Sequence, residues 1–358
     1  MQLHVSTRKG LFIYALQDGE WKVESRHFLG NPVSMSLFDP RDQTLYAALN
    51  LGHFGVKLHR SRDLGKNWEA VAVPVYPEKP ASDKDDNNSW SLEQIWCLEN
   101  GAKTGELWAG TIPGGLFHSK DHGDSWQLNE SLWYSEARKR WFGGGYNQPG
   151  IHSIFLHPKN PKHIVLAVSC GGVWQSRDNG LNWECTAKGM VADYMPDELK
   201  KDPNIQDPHR LAVCPSQPQK MWVQHHNGIF HSEDGGHNWK RIKAEPSHFG
   251  FAVVVDPHDG NCAWFVPGVK DECRIPVNAR LIVNKTNDAG HHFEALDNGL
   301  PERDAYDLVY RHGLTISDDG NYLAMGSTTG NLWVSSDQGE YWELQSVHLP
   351  PIYALRFA

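Results

Sequence analysis

Six side chains able to move protons or bind metal recur through the middle of the chain: His152, Asp207, His209, the adjacent His225 and His226, and Glu272. Imidazole titrates near neutrality and serves as general acid, general base or metal ligand. With Asp207 and Glu272 as a carboxyl pair, the set holds the parts of acid–base hydrolysis at an acetal. The same imidazoles, with His152, His209 and His225 foremost, offer nitrogen ligands suited to a divalent metal such as zinc, manganese, iron or copper. Successive residues on a strand point to opposite faces, so His225 and His226 serve one ion only if they lie in a turn. Arg8 and Arg274, with Arg311 as a third, suit bidentate binding of a carboxylate. Tyr306, Trp141 and Tyr146 offer rings against which a substrate can lie.

These residues are far apart in the chain, so a fold must gather them. Its signal is a repeat. One octapeptide occurs six times: SRDLGKNW (61–68), SKDHGDSW (119–126), SRDNGLNW (176–183), SEDGGHNW (232–239), TNDAGHHF (286–293) and SSDQGEYW (335–342). The pattern is Ser/Thr-x-Asp-x-Gly-x-x-Trp/Phe. Its chemistry is structural. The Asp carboxylate accepts from amides of its own turn, the Gly supplies a backbone conformation that other residues resist, and the aromatic buries a large apolar face.

A short strand precedes each octapeptide, as in GLFHS (115–119) or GIFHS (228–232), and a pair of turn-linked strands lies upstream. Period-two patterning with Gly, Pro and Asn turns gives four short strands per unit. Repeated four-stranded sheets make a β-propeller. Six octapeptides give six blades. The first residues read as three strands of a further blade, and IYALRF (352–357) reads as its missing innermost strand. The expectation is an all-β, seven-bladed β-propeller of four-stranded antiparallel blades, with the closing blade made from both termini. It forms a single domain, 1–358, with blades at 352–358 plus 1–23, 33–71, 93–128, 150–186, 209–242, 250–295 and 306–344.

The octapeptide resembles the Asp-box, or BNR, repeat of sialidases, other glycoside hydrolases, sortilin-type receptors and a plant photosystem II assembly factor. The resemblance runs through nearly the whole chain and is nearest to bacterial sialidase-like or glycosyl hydrolase-like propellers of undefined activity. It implies fold more than function, since such repeats serve enzymes and binding proteins alike. Sialidases resemble the chain in these boxes but use six blades and carry an Arg-Ile-Pro ahead of them. Here Arg274-Ile275-Pro276 falls in the sixth blade, so the sialidase arginine triad is not carried onto this sequence.

A strand of about six residues spans on the order of 20 Å, so His225–His226 and Asp234 belong to opposite ends of their blade. The end away from the octapeptides collects the long segments 72–92, 129–150, 187–208 and 267–279, and loops that lengthen on one face mark the working face. The expected site is the mouth of the propeller channel there. Three functions compete: a hydrolase acting on a carbohydrate or acidic small molecule, a metal-dependent lyase or other enzyme, and a non-catalytic scaffold whose partner meets the aromatic loop 131–150. His59, His118 and His231, on the strands before the octapeptides, read instead as sheet-face residues.

The net charge of −9, with 22% charged and 39% hydrophobic residues, fits a globular chain with no basic face for nucleic acid or an anionic membrane. No apolar run reaches the length of a membrane span or a leader peptide. The six cysteines lack any paired spacing and read as free thiols, which places the chain in the cytoplasm.

Overall fold

The octapeptide folds as the same hydrogen-bonded turn each time. In the fourth copy Ser232 Oγ donates to Asp234 Oδ1 at 2.9 Å and accepts from the Gly236 amide at 2.9 Å. The Asn238 amide and side chain donate to the two Asp234 oxygens at 2.9 and 2.8 Å. Equivalent bonds hold the turns at Asp63, Asp121, Asp178, Asp288 and Asp337. Gly236 has φ 84°, a left-handed conformation in which a Cβ is strained. Hydrogen bonds from the turn hold the carboxyls of Asp63, Asp178 and Asp288 down at about 2. Such carboxylates stay ionised at neutral pH and carry no proton to donate.

The computed structural model describes residues 1–81 and 86–358, so part of the 72–92 segment lies outside the described residues. The fold is a seven-bladed β-propeller of four-stranded antiparallel sheets. The closing blade pairs Ile352–Phe357 with Gln2–Thr7, Gly10–Gln17 and Glu20–His27. Two more blades matter below. Blade 5 comprises Pro208–Val213, Met221–His225, Gly228–Ser232 and Lys240–Ile242. Blade 6 comprises Gly250–Val255, Ala263–Pro267, Val283–Thr286 and Glu294–Leu296. Among the described residues no helix is long and apolar enough to cross a membrane.

The described chain falls into two compact units. The first is Met1–Gly30, Gly189–Asp193 and His209–Ala358, and the second is Asn31–Lys188 with Tyr194–Pro208. In the first, Trp222 Nε1 donates to Gly260 O and Trp264 Nε1 to Gln338 O, both at 2.9 Å. Each indole thus satisfies its one donor on the following blade while its ring fills the core.

His118 and His231 are sheet-face residues, as expected from their positions. Each imidazole stacks on its cross-strand partner, Trp108 or Trp222, at a centroid distance of 4.0 Å. Burial pushes the His231 imidazole down to about 4. The unfolded chain binds that proton below about pH 6.5, whereas the folded protein refuses it down to about 4. The contribution of neutral His231 is therefore complete above pH 6.5 and is lost as pH falls towards 4. Thermal melts across this window are expected to show His231→Phe with a shallower acid loss than the parent. Equal slopes would mean that His231 is not the group being protonated.

Candidate functional site

In blade 5 the octapeptide turn and the two adjacent histidines occupy opposite ends of the sheet. Met221 pairs with Ser232 at one end and His225 with Gly228 at the other. The strand stops at His225, so His226 lies in the turn. The histidines consequently separate. His225 is fully buried, accepts the Asn227 amide on Nδ1 at 3.0 Å and packs against Phe230. His226 is half-buried and turns towards His209, with ring centroids 5.4 Å apart and nearly perpendicular. The turn is braced within its own unit. Asn227 Oδ1 accepts the Asp193 amide at 2.8 Å, and Arg241 reaches both Asp193, at 2.7 Å, and the Asn227 carbonyl. Beneath it, Gln224 Nε2 donates to the carbonyls of His225, Gly228 and His248 at 3.0–3.3 Å.

His209 lies on the first strand of blade 5 and is 2% exposed. Its Nδ1 is 2.7 Å from the Gly250 carbonyl. A carbonyl only accepts, so Nδ1 carries the proton and Nε2 is the basic nitrogen of the neutral ring. The imidazole stacks on Phe251 at 4.4 Å with an interplanar angle of 11°. Phe251 is the hub of this end of the unit. Phe249 and Tyr310 meet it edge-on at 5.4 and 4.9 Å. The guanidinium groups of Arg274 and Arg311 lie over the same ring, at 5.3 and 5.6 Å from its centroid.

Arg274 comes from the 267–279 segment, which links the second and third strands of blade 6. It donates to Asp271 Oδ1 through Nε at 3.0 Å and Nη2 at 2.6 Å. Burial works against its charge, yet hydrogen bonds to Tyr310 and Asp271 raise its pKa above the ordinary arginine value. Arg311 is only 7% exposed. Phe249 and Phe251 share a strand face by their i, i+2 spacing. The pattern HFGFAVVV (248–255) carried that signal, but sequence reasoning missed Phe251 and Tyr310.

Other expected site residues take different positions. Glu272 is exposed, 3.7 Å from Lys270. Arg8 and Tyr306 are exposed on the same unit. Asp307, the residue after Tyr306, is a fastener: its Oδ1 accepts from Ser327 Oγ and Asn331 Nδ2 at 2.8 Å and from Thr329 Oγ1.

In the second unit, Asp207 Oδ1 accepts from the Cys170 amide at 3.1 Å and from Ser169 Oγ at 3.3 Å. Cys170 is buried with φ 51°. Gly144 crosses above it so closely that a Cβ there would sit 2.7 Å from Cys170 Sγ, which explains a glycine at this point of the Gly143–Gly145 run. His152 is fully buried between Ser153 Oγ at 2.9 Å and the Pro208 carbonyl at 2.7 Å. Trp141 is 3% exposed and packs on Trp174, as part of the core. Tyr146 is 45% exposed and lies edge-on to Trp96 at 5.0 Å, so its ring is open to solvent.

The three histidines expected as metal ligands thus have distinct surroundings. His152 and His225 are enclosed by hydrogen-bond partners of their own, and the imidazole that approaches His209 is that of His226. A shallow pocket of about 240 Å³ between Pro246, Val277 and Ile282 lies on blade 6. Its one ionisable lining residue, Arg280, is paired with Asp297.

No family model matches the chain. Over 252 residues it is 23% identical to an oligoxyloglucan-reducing end-specific xyloglucanase of Emericella nidulans, a match covering 67% of this chain and 29% of that protein. The chain therefore spans less than a third of that relative's length. Among solved structures it resembles a GH74 xyloglucanase from Xanthomonas campestris, with TM-score 0.63 and 16% identity over 98% of this chain and 51% of that one. It also resembles a periplasmic gluconolactonase of Pseudomonas aeruginosa, with TM-score 0.62 and 12% identity over 99% and 98% of the two chains. A third is YCF48 from Cyanidioschyzon merolae, with TM-score 0.57 and 15% identity over 90% and 87%. At these identities the structural likeness is one of fold.

Proposed function

We propose that the protein is a hydrolase acting on a carbohydrate or a sugar-derived small molecule, at the end of blades 5 to 7 opposite the octapeptide turns. The observation that carries this reading is the pair His209 and His226 beside Phe249 and Phe251. An oriented imidazole next to a second one, against aromatic rings, provides proton transfer at neutral pH and a surface for a sugar ring. His209 is the general base through Nε2. It takes a proton from water as the oxygen adds to the reacting carbon, and returns it to the departing oxygen. His226 lies on the side of His209 that faces the turn, and donates to or orients the water.

The xyloglucanase relative and the gluconolactonase-like fold both favour a sugar as the substrate. The environment of the carboxyl groups favours a sugar lactone or ester over a glycosidic bond. Glycoside cleavage requires two carboxyl groups flanking one bond, whereas Glu272 is exposed beside Lys270 and Asp207 accepts bonds from Ser169 and Cys170. The test is a substrate panel of aldonolactones, aryl glycosides and xyloglucan oligosaccharides, followed by proton release and by chromatography. Hydrolysis of any class that His226→Ala abolishes supports the reading, and inactivity on all three overturns it. The YCF48-like fold keeps a scaffold as the second reading, with exposed Tyr134 and Tyr146 of the 129–150 loop as its contact surface.

A further inference from the structure

We infer that Gln224 is the positioning residue of this site: its one buried side chain sets where His209 and His226 stand relative to each other, an inference that rests on the hydrolase reading above. The two imidazoles belong to different parts of blade 5, and each is placed by separate backbone. His226 is placed by the turn that follows His225. His209 is oriented by the Gly250 carbonyl, which accepts from its Nδ1 at 2.7 Å and belongs to the first strand of blade 6. Gln224 reaches both supports. Towards the turn its Nε2 donates to the carbonyls of His225 and Gly228, each at 3.3 Å. Towards blade 6 it donates to the His248 carbonyl at 3.0 Å. Gly250 passes so near the same amide that a Cβ on it would sit 3.4 Å from Gln224 Oε1.

The chemistry of the side chain fits this task. Gln224 is 1% exposed, so little water competes for the carbonyls it meets. Its amide carries two N–H donors, shared here among carbonyls of the blade 5 turn and of the link into blade 6. An amide that served only its own hairpin would stop at His225 and Gly228. The His248 carbonyl immediately precedes Phe249, so anchoring it fixes the strand start that supplies both the Gly250 carbonyl and the aromatic rings. His209 stacks on Phe251 at 4.4 Å, and His226 meets Phe249 edge-on at 6.2 Å. Proton transfer requires hydrogen-bond reach, and a misplacement of about 1 Å costs on the order of a hundredfold in rate. Being enclosed, Gln224 acts through the two imidazoles and not on the substrate.

The experiment is nuclear magnetic resonance of the intact protein, isotope-labelled in its histidine rings, as parent, Gln224→Met and Gln224→Glu. The signals of His209 are assigned by their loss in His209→Gln. The parent is expected to hold neutral His209 as the single Nδ1–H tautomer that the Gly250 carbonyl selects. Gln224→Met keeps the length of the side chain and removes both donors, and His209 then becomes a mixture of tautomers. His231, stacked on Trp222 at the octapeptide end of the same sheet, keeps its signal and shows that the blade is folded. Gln224→Glu keeps the shape but donates only while its carboxyl is protonated, and burial raises the pKa of that carboxyl. Relative to the parent at the same pH, its His209 signal is native-like below that pKa and altered above it. Should Gln224→Met fold poorly, this pH step decides alone. On a substrate that the parent hydrolyses, Gln224→Met lowers kcat by about 10–100-fold and leaves KM within about twofold. A His209 tautomer unchanged in both variants, or an altered tautomer with kcat intact, overturns the inference and leaves the hydrolase reading standing. A parent inactive on the whole substrate panel overturns the hydrolase reading, and the tautomer measurement still decides whether Gln224 places the imidazoles.

Discussion

His226→Ala is expected to lower hydrolysis by about 10²–10⁴-fold and to leave the melting temperature almost unchanged, whereas His225→Ala does the reverse. The two residues are adjacent, so the pair forms a controlled experiment. His226 is half-buried in a turn that Asn227, Asp193 and Arg241 brace without it. Truncating it removes a ring that faces His209 and opens little of the core. His225 is fully buried, and its Nδ1 is the acceptor for the Asn227 amide. Its loss creates a cavity beside Phe230 and removes the acceptor of the Asn227 amide, together about 2–4 kcal/mol. The Asp234→Ala variant is the control from the other end of the blade. It loses the three bonds that the Asp234 carboxylate accepts in its octapeptide turn and is expected to weaken the fold while leaving turnover intact. Measurement of turnover and melting for the three variants decides the matter. A stable, active His226→Ala protein would remove the imidazole pair from the proposed chemistry.

The reading of the fold from sequence succeeded because the octapeptide encodes its own geometry. Ser, Asp and Gly stand at spacings that close hydrogen bonds within eight residues, so each copy reports a hairpin without any tertiary context. Joining Ile352–Phe357 to Gln2–Thr7 required only counting strands in the other blades. The candidate site was less legible, because nothing local ties Phe251, Arg274, Tyr310 and Arg311 together; blade-to-blade packing does. His209 was visible as an imidazole at a strand start, but its orientation depends on the Gly250 carbonyl of the next blade. Trp141 looked like a sugar platform by residue type, since an aromatic in a long loop near glycines gives no hint that Trp174 buries it. His225 and His226 separate because the strand ends at His225 and His226 lies in the turn, so alternation along one strand, a backbone property, is not what parts them.

Asp86→Ala is expected to be the most destabilising of the single substitutions considered, at about 3–5 kcal/mol. Asp86 and Arg138 form an ion pair at 2.7 Å with both side chains essentially inaccessible. The pair joins the 72–92 segment to the 129–150 segment within the second unit. Trp90 Nε1 donates to Asp86 Oδ2 at 2.8 Å, Arg138 Nε donates to the Trp133 carbonyl at 2.6 Å, and the guanidinium lies 4.0 Å from the Trp133 ring centroid. Taking charges out of water is costly, and their attraction offsets that cost only while both are present. Removing Asp86 alone leaves a buried cation against the Trp133 ring, which is why the single substitution is severe. Replacing both partners, as Asp86→Ala with Arg138→Met, removes the charge along with its partner and is expected to recover at least about 1–3 kcal/mol of the loss as coupling energy. Denaturant unfolding of the four proteins of this cycle measures the coupling. Additive losses would mean that the two segments are held by their aromatic packing, with the contacts of Tyr76 and Trp90 on the Trp133 ring at 4.6 and 5.4 Å sufficient, and that the buried pair is tolerated by the fold without supporting it.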